Sequence, residues 1–353
     1  MRCSFVVIIY LNQIKIMDRD KLSKKGKGTF VTKFNDFFIF DTPKEKRFAD
    51  YLKSLKKVLL LCFYWLIYLF INKQTSQKKY NVAVCTIFKN EAPYLKEWIE
   101  FNLIAGIEHF YLYNNNSEDD YLSVLTPYIE NGVVTLTQWP HNQKQMECYN
   151  SCISDYSCQT KWLGFIDVDE FIIPKSTSEI YSFLKTFEKR KGAVKIYWRL
   201  FGTSGRIERD LNHLVCEDFT VCWPKYCDIG KCFYNTAFNF KFSSKRNSCL
   251  HHNFWANYKG IDIPPVNIFG HLSFSDINKA DCLDFPIQIN HYFTKSYNEY
   301  AVKRSKGDVY FKNNPHDEAY FYEHEMKCIS VDYSAYRYLV KLKLKMNGSK
   351  ADK

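Results

Sequence analysis

The sequence predicts an α/β fold built on a mostly parallel sheet with helices on both faces, preceded by a basic arm and an apolar helix. Two observations carry this expectation. From Asn81 onwards, short β-rich apolar runs alternate with amphipathic segments of about a dozen residues, the pattern of a parallel sheet covered on both sides. The 353 residues are 46% hydrophobic and 18% aromatic, enough apolar material to fill the core of one large or two modest domains.

Taken in order, VAVCTIF (82–88) reads as the first strand, and Pro93 opens a helix on which Leu95, Trp98, Ile99 and Leu103 share a face. HFYLYNNN (109–116) is the next strand. Ser117 is the expected N-cap of a helix running through Leu122, Leu125 and Ile129, and Gly132 precedes a third strand, VVTLTQW. A helix near 143–157 leads to WLGFID (162–167) and then to EFIIP (170–174), which Pro174 stops. Residues 178–190 form a further amphipathic helix. After AVKIYWRLFG (193–202) the alternation gives way to Cys-, Tyr- and Phe-rich segments, expected as antiparallel pieces and loops. Helices return at 296–305 and 316–327, followed by a lysine-rich tail over 331–353.

The formal charge of +11 is unevenly placed. Residues 1–57 carry 14 Lys and Arg against 6 Asp and Glu, and residues 72–81 add Lys73, Lys78 and Lys79 with no acid. Residues 82–353 hold 32 of each sign. A neutral folded part argues against an extended groove for a phosphate backbone, and so against nucleic acid as a partner. The basic excess instead brackets VLLLCFYWLIYLFI (58–71), a run without a charge. As a helix this run reaches about 21 Å, short of a hydrocarbon core of about 30 Å. The expected organisation is therefore a basic arm (1–57), a membrane-anchor or interfacial helix (58–71), a linker (72–79) and a folded domain (80–330). A membrane surface is the expected partner, with a buried helix as the alternative. Thirteen cysteines, an odd number with no CxxC pair, fit a reducing compartment. The expected location is a membrane with the folded domain on its cytoplasmic side, or the Golgi membrane in a eukaryotic cell.

The sharpest chemical signal is GFIDVDEF (164–171). In an extended chain Asp167 and Asp169 share a face and Glu170 opposes them. Two carboxylates on one face suit a hard cation, Mg²⁺ or Mn²⁺, held partly by the phosphates of a nucleotide. A solvated acidic turn is the alternative reading.

The segments VAVCTIFKNEAPYLKEWIEFNLIAGIEHFYLYNNNSED, TKWLGFIDVDEFIIP, FGTSG and NHYFTKSYNEYAVKRSKGD together resemble glycosyltransferase family 92 over about residues 80–325. The resemblance implies a GT-A fold over residues 80–330. It also implies an inverting, metal-dependent transfer of a sugar, often galactose, from a nucleotide diphosphate sugar to a glycan acceptor. A UDP-sugar is the favoured donor, Mn²⁺ or Mg²⁺ the metal, and a surface polysaccharide or lipid-linked glycan the acceptor. Residue by residue, the resemblance places Thr86, Asn90 and Glu91 at the nucleotide. Asn114 and Asn115 end the second strand, with Asn114 where the family has Asp. Asp167 and Asp169 match the DxD metal motif, His291 of HYFTKS is the implied third ligand, and Lys295 meets a phosphate. The general base is not named by the sequence; Asp218 and Asp228, with Glu217, are candidates in the acceptor-side half. Trp198, Trp223 and Trp255 are candidate platforms for a sugar face. The competing readings are a non-catalytic relic that binds nucleotide or glycan, and a metal-dependent nuclease or phosphotransferase. The neutral charge of residues 82–353 counts against the latter.

Overall fold

The computed structural model describes residues 38–39, 48–74, 76–242, 245–273, 284–305 and 316–348. Most of the expected arm over 1–57 lies outside these residues. Helix α1 (Phe48–Phe70) contains the apolar run in its second half. One stripe of that run, Leu61, Tyr64 and Tyr68, continued by Ile71, is buried. Tyr64 packs edge-on against Trp255 with ring centroids 5.8 Å apart, and the Tyr68 hydroxyl donates to the Pro264 carbonyl at 2.6 Å. Among the described residues, no helix is long and apolar enough to cross a membrane. The expected spanning anchor is corrected accordingly: spacings of three and four residues lay one face of α1 onto the domain as a core helix does. The opposite stripe, Leu59, Phe63, Leu66 and Phe70, is exposed.

Strands β1 (Tyr80–Phe88), β2 (His109–Asn114), β3 (Val134–Gln138) and β4 (Thr160–Phe165) are joined through α2 (Ala92–Ile104), α3 (Tyr121–Glu130) and α4 (Gln145–Tyr156). They pair in parallel in the spatial order β3-β2-β1-β4. β1, β2 and β4 are mostly buried apolar runs, as strands covered on both sides are, whereas the edge strand β3 is only partly buried. The chain lays β2 and β3 to one side of β1 and then returns to place β4 on the other. A topological switch point results, with its crevice at the carboxyl ends of β1 and β4.

The second half of the sheet is mixed. After β5 (Glu170–Pro174) and the short α5 (Ile180–Leu184) come β6 (Ala193–Leu200), β7 (Gly230–Asn235), β8 (Val266–Asn267) and β9 (Ile287–His291). They extend the sheet as β4-β7-β6-β9-β5, with β8 beside β6. The β4/β7, β7/β6 and β9/β5 pairs are antiparallel, as expected for the later segments, whereas β6/β9 and β6/β8 are parallel. Gly230 is required where β7 meets β6, since a Cβ there would lie 2.0 Å from the Ile196 carbonyl oxygen.

The order of these strands dictates a curl. Four inter-strand steps separate β4 from β5, about 19 Å if flat. Residues 166–169 must bridge that gap, and even fully extended the step from Phe165 to Glu170 reaches only about 17 Å. The segment is in fact a turn, with the Glu170 N–H donating to the Asp167 carbonyl at 3.0 Å. The sheet therefore curves so that its far edge returns to the end of β4.

Three further expectations change. Ser117 does not cap α3, which starts at Tyr121 with Asp120 in the N-cap position. The helix expected over 178–190 is α5 followed by a 3₁₀ turn, Lys185–Phe187. After α6 (Tyr297–Ser305) and α7 (Glu318–Met326), the lysine-rich tail contains a helix, α8 (Tyr336–Met346), whose Tyr338 packs edge-on against Phe101 of α2 at 5.3 Å. Tyr338 and Leu342 give α8 a buried face, spaced as one helical stripe.

Candidate active site

The crevice is stitched at its floor by groups expected to meet a nucleotide. Thr86, buried in β1, donates its hydroxyl to the Ile166 carbonyl at 2.8 Å, tying β1 to the acidic turn. Asn90 has a left-handed backbone (φ 55). Its N–H donates to Ser117 Oγ at 2.9 Å and its Oδ1 accepts from the Glu118 N–H at 2.7 Å. Asn114 is 4% exposed; its amide donates to Tyr121 and Gln138 and its Oδ1 accepts from the Ser117 N–H. The Asn115 amide donates to the Trp139 and His141 carbonyls. Asn114 and Asn115 thus hold the loop after β2, and the Asn114 amide is spent on the turn rather than turned towards a base or ribose edge. Glu91 sits at the start of α2, within electrostatic reach of Lys295 and Lys303.

The acidic turn divides its carboxylates differently from an extended chain. Residues 166–169 turn, and the carboxylates of Asp167 and Asp169 meet different partners. Asp169, Glu170 and His291 come together, with ligand atoms within 4.8 Å of one another. Strand pairing sets this up, since β5 and β9 place Glu170 directly opposite His291. Asp169 Oδ1 lies 3.4 Å from His291 Nε2, and the Tyr292 N–H donates to the Asp169 carbonyl at 2.9 Å. Asp167 is instead engaged by Lys231 at 2.7 Å, and the same ammonium lies 3.5 Å from Glu170 Oε1. Of the three implied metal ligands, Asp169 and His291 come together with Glu170, and Asp167 is paired with Lys231.

The electrostatics follow from burial and charge. Burial pushes the Asp169 carboxyl up, but Lys303, His291 and Lys295 outweigh it and hold the group well below the usual carboxylate range. Glu170 is fully buried, and burial with the neighbouring Asp167 and Asp169 raises it well above that range despite Lys231. Burial lowers the His291 imidazole, which keeps it in the neutral, ligating form. Asp169 Oδ1 and Glu170 Oε1 are buried oxygens without a hydrogen-bond partner, and His291 faces Asp169 Oδ1 with Nε2. Buried unsatisfied oxygens and a neutral imidazole converging on one point fit a divalent cation of the Mg²⁺ or Mn²⁺ class.

Two lysines complete the site that sequence reasoning passed over. Lys231 is the one charged residue of the fully buried strand GKCFYN, a signal that was available. Lys303 pairs with Asp169 Oδ2. Its helix α6 begins with a reciprocal cap, in which Glu299 accepts from the Ser296 N–H at 2.9 Å and the Glu299 N–H donates to Ser296 Oγ at 3.3 Å. Lys295, just before that cap, also has a left-handed backbone (φ 50) and lies over the Tyr94 ring at 4.2 Å. Burial lowers its ammonium, against the pull of Glu91 and Asp169. Left-handed backbone at two non-glycine residues of one crevice, Asn90 and Lys295, is the strain expected at a functional site.

The general-base candidates lie elsewhere. Asp218 is bound by Arg206 at 2.7 Å and by His213 Nδ1 at 3.1 Å. Glu217 pairs with Lys343 of α8 at 2.5 Å. Asp228 is in the field of Lys195, and burial raises its carboxyl. Strand alternation puts Lys195 and Tyr197 on the face of β6 opposite Trp198, so Asp228 is turned from the metal cluster. Ion pairs thus engage Asp218 and Glu217. Of the candidate platforms, Trp198 borders the site, 4.5 Å from the His291 ring and 5.8 Å from the Lys231 ammonium. Trp255 packs under α1, and Trp223 donates to the His324 carbonyl.

A model of the family described as glycosyltransferase family 92 matches residues 78–330, well over half of the chain. A glycosyltransferase family 92 protein of Ricinus communis is 26% identical over 226 residues, 62% of this chain and 35% of that protein. A galactan beta-1,4-galactosyltransferase of Arabidopsis thaliana is 30% identical over 133 residues, 33% of this chain and 26% of that protein. The chain thus spans about a third or less of the length of these curated relatives. Among solved structures, Staphylococcus aureus TarS (residues 1–349) is similar with a TM-score of 0.33 and 14% identity, covering 77% of this chain and 75% of that one. So low a score carries no weight here.

Proposed function

The chain belongs to glycosyltransferase family 92, as the match over residues 78–330 shows, and from that premise we propose that it transfers a sugar from a nucleotide diphosphate sugar to a glycan acceptor. The observation that carries the proposal is the convergence of buried Asp169, Glu170 and His291 at the carboxyl end of β4, with Lys303 and Lys295 close by. Asp169, Glu170 and His291 hold a divalent cation, which when bound neutralises the diphosphate as the nucleotide departs. Lys295 supplies a point charge towards the phosphates, and the crevice between β1 and β4 receives the nucleotide. Trp198 offers an apolar face beside the reacting sugar. The galactosyltransferase named among the relatives supports galactose as the sugar, and UDP as its carrier follows the family resemblance. An inverting outcome follows the family resemblance.

The test is to incubate the protein with a panel of UDP- and GDP-sugars, Mn²⁺ and short β-galactan oligosaccharides, and to identify products by mass and by the anomeric coupling of the new linkage. Extension from UDP-galactose with inversion is expected. No extension from any donor, with no nucleotide binding, would leave the non-catalytic reading in its place.

A separate observation favours a membrane surface as a partner. The outward stripe of α1, Leu59, Phe63, Leu66 and Phe70, is exposed, and the sequence before and after it is rich in lysine without matching acid. We infer that this face rests in the interface of an anionic bilayer without crossing it. The protein is expected to float with anionic vesicles and not with neutral ones. Flotation unchanged in Phe63→Asp/Phe70→Asp would contradict this.

A further inference from the structure

The two oxygens of Asp169 have different surroundings. Oδ1 is buried without a hydrogen-bond partner and faces His291 Nε2 at 3.4 Å, beside Glu170. Oδ2 is occupied by the Lys303 ammonium, which also lies 4.6 Å from the centre of the Phe293 ring. The Lys303 side chain is 38% exposed, whereas that of Asp169 is 9% exposed. Lys231, the other lysine of the cluster, is 1% exposed and held between Asp167 and Glu170. One lysine is locked into the core. The other reaches in from an open edge on a flexible four-carbon stem, from a helix whose start is fixed by the Ser296–Glu299 cap.

We propose that Lys303 and the divalent cation are alternative partners of Asp169. Without donor, the ammonium neutralises the carboxylate. When donor and metal bind, it leaves Oδ2 and turns to the donor's diphosphate, where it stands beside Lys295 as a phosphate contact. This rests on the donor-site reading above. The physical reason is that a dication at Oδ1 would lie only a few Å from an ammonium at Oδ2, and their repulsion favours moving the ammonium to the new anion, the diphosphate that arrives with the metal. Lys303 then has opposite effects on the two ligands. It competes with metal in the empty protein and helps to hold nucleotide in the loaded one. A lysine with only a structural role would weaken both when removed.

The test measures Mn²⁺ binding to the 353-residue protein by the electron spin resonance of free Mn²⁺, and UDP binding by calorimetry in saturating Mn²⁺. Wild type, Lys303→Met, Lys303→Arg and Asp169→Asn are compared. Lys303→Met is expected to bind Mn²⁺ alone about tenfold more tightly and UDP about tenfold more weakly, and Lys303→Arg to restore UDP binding. An Mn²⁺ affinity unchanged or lowered in Lys303→Met, with binding still abolished in Asp169→Asn, overturns the exchange and leaves the metal site standing. A wild-type protein with no saturable Mn²⁺ site, with or without UDP, overturns the donor-site reading and the exchange with it. Amine labelling of wild type, read by mass spectrometry, does not depend on a variant folding. Mn²⁺ alone should speed acylation of Lys303 and added UDP should slow it again; a rate indifferent to both contradicts the proposal.

Discussion

Lys231 and Asp167 meet at 2.7 Å inside the curled sheet, and the Lys231 ammonium also lies 3.5 Å from the fully buried Glu170. The lysine makes two neighbouring acids tolerable at the end of a strand. Replacing it with methionine takes the ammonium from the part-exposed Asp167 carboxylate and from the buried Glu170 carboxyl, and about 1–3 kcal/mol of stability is expected to be lost. The double variant Lys231→Met/Asp167→Asn should recover much of that loss, because the charge bonded to Lys231 is removed with it. Urea midpoints of the three proteins check this, and a double variant no more stable than Lys231→Met would show that the pair does not act as a unit.

Thr86 offers a clean separation of structural from ligand-binding roles. Its hydroxyl is committed to the Ile166 carbonyl at 2.8 Å. Thr86→Val keeps the shape and removes the donor, so stability should fall by about 1 kcal/mol with the donor KM changed little. A raised KM at unchanged melting temperature would return Thr86 to the nucleotide.

Acid stability should report two buried histidines. Burial lowers the His109 imidazole from 6.5 to about 4, against the opposing effect of the Gly132 carbonyl. Burial likewise lowers His324 from 6.5 to about 4, although the Phe201 carbonyl opposes it. Between about 4 and 6.5 the unfolded chain therefore binds more protons than the folded one. The native state loses stability as the pH falls through that window and gains it as the pH rises. Melting temperatures from pH 7 to pH 4 should decline more gently in His109→Gln, which retains hydrogen-bonding capacity without a titrating ring. A variant profile that follows wild type would remove His109 as a source of the slope.

Much of the parallel half of the fold was legible because its strands are short apolar runs separated by helices with clear stripes. The strand spans around Val84, Leu112 and Ile172 fall close to where they were expected. The acidic turn was legible as the chemical centre, but its division of labour was not. Which carboxylate faces His291 depends on the curl that returns β5 and β9 to β4. The lysines that pair with Asp167 and Asp169 arrive from 64 and 134 residues away. Lys303 carries no local signal of this partnership, which arises only because the fold brings its helix to Asp169. The run at 58–71 misled for a different reason. It is apolar on both sides of one helix, and sequence alone does not say that one side packs beneath Trp255. Asn114 and Asn115 look like base-binding groups or like turn-formers, and their ties to Gln138, Trp139 and His141 come from 24 and 26 residues on, beyond the reach of local pattern.

The most direct test of the central claim is nucleotide release from UDP-galactose by wild-type protein and by Asp169→Asn, each with Mn²⁺ and with EDTA. Release by wild type with Mn²⁺, lost on chelation and lost in a variant that melts as a folded protein, is the result predicted for a metal held by Asp169, Glu170 and His291. Release that survives both EDTA and Asp169→Asn would contradict it.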